Sequence, residues 1–253
     1  MKITFLGTGT SIGVPVIGCD CKVCKSQDER DKRLRASILW EVDGRKFLID
    51  AGPDFRQQML RSSCTKFNAI LITHEHYDHV GGLDDVRGIN LTTERDVEIY
   101  AENGPANAIR RSLYYVFATE KYPGVPNMTL NEIDLNPFVI DGIKITPIRV
   151  MHCKLPIVGF RIGNWAYITD ASYIPEESLK QLEGLEVLVI NALRWNEHIS
   201  HFSIPETLEI VERLKPQRTF FTHVCHEIGL YDEAQKRLPK GVTLAYDGMI
   251  IEG

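Results

Sequence analysis

The chain has 253 residues, 43% hydrophobic and 25% charged, with a formal net charge of -5 and a pI near 5.9. That acidic balance argues against a general nucleic-acid-binding surface, and no apolar run reaches the roughly 18 residues of a membrane span. No secretory pattern opens the sequence, so its six cysteines are expected in the cytoplasm, as metal ligands or free thiols rather than disulfides.

Residues 3–6 read as a first strand, broken by Gly7-Thr8-Gly9-Thr10-Ser11-Ile12-Gly13. This loop lacks the Gly-Lys-Ser/Thr of a P-loop, and Ile12 stands where a dinucleotide fingerprint needs its third glycine. It therefore reads as a tight turn lining a site. Cys19, Cys21 and Cys24 follow, and three thiols so close predict a closed tetrahedral zinc loop around residues 18–25 whose fourth ligand comes from far along the chain. A redox Cys-x-x-Cys pair would call for a thioredoxin-like βαβ pattern, which is missing. The mixed charges of residues 25–35 read as a solvated face. Residues 37–42 and 46–49 form a hairpin through Asp43-Gly44. Its second strand ends at Asp50, placed to orient a histidine from behind, and Pro53 opens a helix through residue 60.

The apolar run Ala69-Ile70-Leu71-Ile72-Thr73 reads as a buried strand, and it ends in His74-Glu75-His76-Tyr77-Asp78-His79. A short helix follows Gly81-Gly82, then a strand over 97–101 and a helix over 106–115. Residues 118–136, with Pro123 and Pro126, read as a loop or arm. Strands over 138–140 and 144–150 flank Asp141-Gly142 and stop at His152. Strands over 158–162 and 165–169 stop at Asp170. A helix over 175–182, a strand over 186–191 and a helix over 205–214 lead to a strand over 218–222, which stops at His223. Residues 242–246 and 249–252 close the chain as a hairpin around Asp247-Gly248. Cys64 and Cys153 read as buried thiols. About a dozen strands and about six helices, with hairpins beside strand-helix-strand units, predict one α/β domain over residues 1–253.

His74, His76, Asp78, His79, His152, Asp170 and His223 are too many ligands for one zinc but suit two cations about 3.5–4 Å apart that share a carboxylate. Asp170, isolated in sequence, is the natural bridge. Mixed nitrogen and oxygen donors accept Zn, Mn or Fe.

H-x-H-x-D-H after a strand, followed by a lone His, a lone Asp and a late His, resembles the metallo-β-lactamase superfamily. The resemblance implies a four-layered αββα sandwich. It also implies His74, His76 and His152 on one metal, Asp78, His79 and His223 on the other, and Asp170 between them. Within the superfamily the chain is similar to the PhnP-type phosphodiesterases of the carbon-phosphorus lyase pathway. That similarity lies in Phe5-Leu6-Gly7-Thr8-Gly9-Thr10-Ser11, the three cysteines, Thr222-His223-Val224-Cys225-His226 and Tyr246-Asp247-Gly248-Met249. It implies His226 as the fourth ligand of a structural zinc, with adjacent Cys225 as competitor. It also implies His201 as general acid, with Asp78 as a catalytic residue as well as a ligand. His198 reads as a residue behind the site or on the surface, and Arg194 and Trp195 as candidates to meet substrate.

The expected activity is hydrolysis of a small, cyclic or nucleotide-like phosphodiester by a metal-bridging hydroxide, with two Zn or Mn ions and one structural Zn. The expected partners are that small molecule and a second copy of the chain, with nucleic acid disfavoured and no membrane. A ribonuclease Z-like endonuclease shares the seven ligands but calls for a basic surface and a longer arm. A glyoxalase II-like thioester hydrolase calls for a helical domain after the last ligand. A β-lactamase calls for a signal peptide and a cysteine in place of Asp170. A zinc-stabilised binding protein without catalysis would show a missing ligand, and none is missing.

Overall fold

Apolar runs sort the strands into two seven-stranded mixed sheets in the structure, a computed structural model that describes residues 1–253. The sheets belong to two compact units, one of residues 1–6, 37–134 and 250–253, the other of residues 7–36 and 135–249.

The first sheet contains β1 (Lys2–Gly7), β2 (Ser37–Val42), β3 (Arg45–Ile49), β4 (Ala69–Leu71), β5 (Val97–Glu102) and β6 (Met128–Ile133). They lie side by side in that order, and β3 through β6 run parallel. The β2–β3 hairpin turns at Asp43-Gly44, both with positive φ, as a two-residue turn of its twist requires. The helices are α1 (Phe55–Ser62), α2 (Tyr77–Val80), α3 (Val86–Thr93) and α4 (Asn103–Ser112). Phe55 and Met59 of α1, Val86 of α3 and Ile109 of α4 pack on Leu48, Ile70 and Ile99 of the strands.

The second sheet contains β7 (Phe138–Ile140), β8 (Ile143–His152), β9 (Leu155–Ile162), β10 (Trp165–Ile168), β11 (Val187–Asn191), β12 (Arg218–Thr222) and β13 (Val242–Leu244), again in chain order. β7 to β10 are an antiparallel meander, and β10 to β13 run parallel. Every residue of β10 and β11 is buried, the pattern of strands covered on both faces. Helices α5 (Glu176–Gln181), α6 (Ile204–Leu214) and α7 (Tyr231–Arg237) contribute Leu179, Ile204, Leu214, Tyr231 and Ala234 to a core with Ile148, Ile168, Ile190 and Phe221. Ser203 and Glu206 cap α6 reciprocally, and Pro205 stands in its first turn. The chain then returns to the first sheet as β14 (Ile250–Glu252), antiparallel to β1. No helix is long and apolar enough to cross a membrane.

Four expectations are corrected. Residues 118–136 are not all loop: 128–133 form β6, an edge strand that pairs only with β5 and so tolerates exposed Thr129 and Glu132. The last two strands do not pair with each other, because β13 adds to β12 and β14 to β1. Asp247 between them accepts from Thr8 Oγ1 at 2.8 Å and from the Leu34 amide at 2.8 Å. The charge run is not all solvated. Arg33 is buried and donates to Thr8 Oγ1 and the Ala245 carbonyl, and buried Asp31 accepts from the Tyr231 amide. Finally, Cys64 is buried as expected but Cys153 is exposed, at the β8–β9 turn with a φ of 55°.

Candidate metal centres

In the first unit the chain leaves β4 and passes through Thr73 and His74, both fully buried, to exposed His76 and then to α2, which carries Asp78 and His79. Asp50, at the end of β3, fixes the proton positions of this segment. Its carboxylate accepts from the Thr73 amide (2.9 Å), the Thr73 hydroxyl (2.9 Å) and His79 Nδ1 (2.7 Å). Because the Thr73 hydroxyl spends its proton on Asp50, it can only accept from His74 Nδ1, 3.0 Å away. Both rings therefore carry their proton on Nδ1 and present Nε2 as a lone pair. His79 Nε2 lies 3.2 Å from an Asp78 oxygen, and His74 Nε2 lies 3.1 Å from His76 Nδ1. A lone pair against a carboxylate is repulsive unless a cation sits with them, so this donor set fits a metal. Burial pushes the Asp50 carboxyl up, opposed by His79 and Thr73.

The Asp50→Ala variant is expected to lower metal affinity by about 10- to 100-fold with the first-unit ligands intact, measured by chelator competition. Gly52 is equally constrained: a Cβ there would lie 1.9 Å from the Asp78 carbonyl oxygen. Gly52→Ala should therefore displace the Asp78 segment, costing about 1–3 kcal/mol of stability, and lower metal content. Thermal denaturation and metal analysis read both effects.

In the second unit, His152 ends β8, Asp170 follows β10 and His223 follows β12. His223 Nε2 is 2.9 Å from Asp170 Oδ1, and Thr169 Oγ1 donates to Asp170 Oδ2 at 2.7 Å. His152 Nδ1 donates to the Ser200 carbonyl at 2.7 Å, which again leaves Nε2 as the lone pair. Asp50, Asp170 and His223 all hold left-handed φ values, of 62°, 58° and 53°, a conformation non-glycine residues keep only where the surroundings impose it. Thr73, Thr169 and the Ser200 carbonyl escaped the sequence reading; the two threonines had a signal, each directly preceding a predicted ligand.

His201 is buried with Nδ1 3.6 Å from Asp170 Oδ1 and its ring 4.6 Å from that of His152. His152, Asp170 and His201 thus also offer donors within 4.8 Å of one another, so His201 stands close enough to be a ligand. Burial first, then neighbouring His223, holds its imidazole down to about 3. A cavity of about 270 Å³ opens beside it, lined by Thr10, Ser11 and Ile12 of the glycine-rich loop and by Arg194, His198 and Glu227. His198 is half-buried. Arg194 is engaged by Glu227 and by the carbonyls of Asn196 and Glu197, while the Trp195 ring lies under Arg237, 3.5 Å from its guanidinium carbon.

The three cysteines surround one atom. Their sulfurs lie 3.4, 3.4 and 3.5 Å from His226 Nδ1 for Cys19, Cys21 and Cys24. One nitrogen cannot bond three thiols at once, whereas Zn–S and Zn–N bonds of about 2.3 and 2.0 Å place tetrahedral ligands roughly 3.5 Å apart. The donor set fits a closed zinc site. The Cys24 amide holds the Cys21 thiol down to about 6, and burial pushes Cys24 up to about 11. Cys225 is buried with its sulfur 4.0 Å from Glu227 and is not among these donors.

A family model described as a β-lactamase superfamily domain matches residues 45–224. The crystal structure of a diphosphatase from the PhnP family is 39% identical, with a TM-score of 0.92 over 99% of this chain and 96% of that one. A protein named octanoyltransferase from Porphyromonas gingivalis is 41% identical over 252 residues, covering 98% of this chain and 51% of its own length. The chain spans about half the length of the curated relatives it matches. Zinc-bound PqqB from Methylobacterium extorquens shares the fold, at 19% identity and a TM-score of 0.81 over the full length of both chains. The expected fold is therefore the one found, and the chain belongs to the metallo-β-lactamase superfamily, where it resembles the PhnP family.

Proposed function

We propose that the chain is a binuclear metal-dependent phosphodiesterase acting on a small, cyclic or nucleotide-like phosphodiester. The observation that carries this reading is the set of imidazoles at strand ends whose Nδ1 protons are committed: His74 to Thr73, His79 to Asp50 and His152 to the Ser200 carbonyl. Each is left with an Nε2 lone pair, the state a metal ligand needs. Membership of the superfamily and the resemblance to a PhnP-family diphosphatase support joining the two donor sets in one centre. His74, His76 and His152 would hold one cation, Asp78, His79 and His223 the other, and Asp170 would serve both. Cys19, Cys21, Cys24 and His226 would hold a structural zinc. When bound, the two active-site cations, Zn or Mn, supply Lewis acidity and a nucleophile at neutral pH.

The protein's own groups do the rest. Asp50 and the Ser200 carbonyl hold the ligand rings in one tautomer. The cavity beside His201 receives the leaving alcohol, and His201 delivers its proton to the departing oxygen. In the free protein burial keeps that imidazole neutral, so its proton is taken up together with the anionic substrate, whose negative charge offsets the desolvation. The octanoyl transfer named for a relative twice as long is not adopted, because this chain covers only 51% of that relative and its clustered donors fit cations. The test is turnover of bis-p-nitrophenyl phosphate by the Zn- or Mn-loaded protein, with a thioester and a β-lactam as controls. Hydrolysis of the diester with metal dependence is expected; a loaded protein that cleaves only the thioester would overturn the reading.

A further inference from the structure

The segment between Leu193 and Ile204 carries His198, Ser200 and His201, and backbone bonds close its two ends. The Leu193 amide donates to the Phe202 carbonyl at 2.9 Å, and the Ile204 amide to the Arg194 carbonyl at 2.8 Å. Between these clasps Trp195 packs partly buried on the core, while Asn196, Glu197 and Ile199 at the tip are exposed. What reaches into it is Arg194. Its Nε donates to the Asn196 carbonyl at 3.3 Å, Nη2 to the Glu197 carbonyl at 3.1 Å, and Nη1 to Glu227. Glu227 follows His226 directly, so the carboxylate that anchors Arg194 is mounted on the residue that completes the Cys3His cluster. Two further bonds join the same stretches: the Cys225 amide donates to the Leu193 carbonyl at 2.9 Å, and Trp195 Nε1 to the Ile228 carbonyl at 2.9 Å.

We infer that Arg194 and Glu227 are a positioning pair, which holds the loop over residues 194–203 against the cysteine-cluster segment and thereby sets both His201 and the Ser200 carbonyl that orients His152. Guanidinium geometry explains the choice of residue. A planar fork can reach two loop carbonyls and a carboxylate simultaneously, whereas the point charge of a lysine can replace the ion pair but not both carbonyl bonds. With three of its five N–H donors committed in this way, Arg194 is placed to brace the loop. Because half-exposed ion pairs are individually weak, the effect is on the loop rather than on global stability. The assignment of a catalytic part to His201 rests on the function proposed above; the bracing of the loop does not.

The test uses the full-length, metal-loaded protein with Arg194→Ala, Arg194→Lys, Glu227→Gln and the double replacement Arg194→Ala/Glu227→Gln. Backbone hydrogen exchange is the readout that needs no activity. In Arg194→Ala, exchange of the Leu193, Phe202 and Ile204 amides is expected to rise about tenfold while β11 and β12 are unchanged, with intermediate values in Arg194→Lys. The double variant should exchange no faster than Arg194→Ala alone, because the two residues act as one unit. With 2′,3′-cyclic AMP, whose leaving group is a ribose hydroxyl, kcat should fall about tenfold with little change in KM. With bis-p-nitrophenyl phosphate at saturating metal, which needs little proton donation, kcat should fall clearly less. Unchanged exchange across residues 193–204 would overturn the pair as a positioning device, and so would a rise in KM on both diesters at constant kcat, which would make Arg194 a substrate contact. Faster loop exchange in a protein that cleaves neither diester would uphold the pair and sink the phosphodiesterase reading instead.

Discussion

Replacing Asp170 by alanine is expected to lower phosphodiester turnover by at least about a thousandfold, roughly 4 kcal/mol of transition-state stabilisation. The reason lies in its surroundings. Asp170 is almost fully buried, with one oxygen 2.9 Å from His223 Nε2 and the other taking the Thr169 hydroxyl. A carboxylate with two oxygens committed in different directions is suited to serve two cations. Metal analysis should show active-site content falling from two ions to one or none, while the ion of the cysteine cluster stays. The left-handed backbone at Asp170 adds a structural cost to any β-branched replacement, so alanine and asparagine are the informative variants. Asparagine keeps one oxygen and the approximate shape, and should retain more metal than alanine while still losing most turnover.

His201→Ala separates two roles that the geometry brings close together. As the general acid, its loss should cost about 10²- to 10⁴-fold on a diester with an alkyl leaving group and far less on one that releases p-nitrophenolate. Both active-site metals should remain. His201 also lies with His152 and Asp170 in a group that could hold a cation. Loss of a metal, with equal damage on both substrates, would assign it to that group and leave the departing oxygen to solvent. The cavity of about 270 Å³ at His201 favours the first outcome, because it gives a leaving group somewhere to go.

The candidate ligands were legible in the sequence because they follow strands, at the strand's end or in the few residues beyond it, and strand ends are locally encoded. Val97–Glu102 and Arg218–Thr222 are short β-rich runs bounded by polar or turn residues, and Asp43-Gly44 and Asp141-Gly142 announce their hairpins. Asp50 was placed as a partner for a histidine on the same logic, and it accepts from His79 Nδ1. What escaped was non-local. Asp247-Gly248 looks like a hairpin turn, yet β13 and β14 join different sheets, and the carboxylate instead ties Thr8 to Leu34. Arg33 sits in a run that looks solvated, but one buried position in a charged stretch is set by partners as distant as Ala245. Residues 128–133 were hidden behind Pro123 and Pro126, because an edge strand needs only one partner and shows a diluted alternation. Arg194 reads as a substrate contact from its place beside the histidines, while its bonds to Glu227 and to the Asn196 and Glu197 carbonyls, set by a segment some thirty residues away, carry the bracing role proposed above.

The central claim is that the strand-end donors form one binuclear centre, and anomalous X-ray scattering from crystals of the zinc-loaded protein tests it most directly. The account predicts two zinc peaks about 3.5–4 Å apart with Asp170 oxygens on both, and a third, separate peak within the Cys19, Cys21, Cys24 and His226 cluster. A single peak among the histidines, or two with Asp170 on neither, would contradict it.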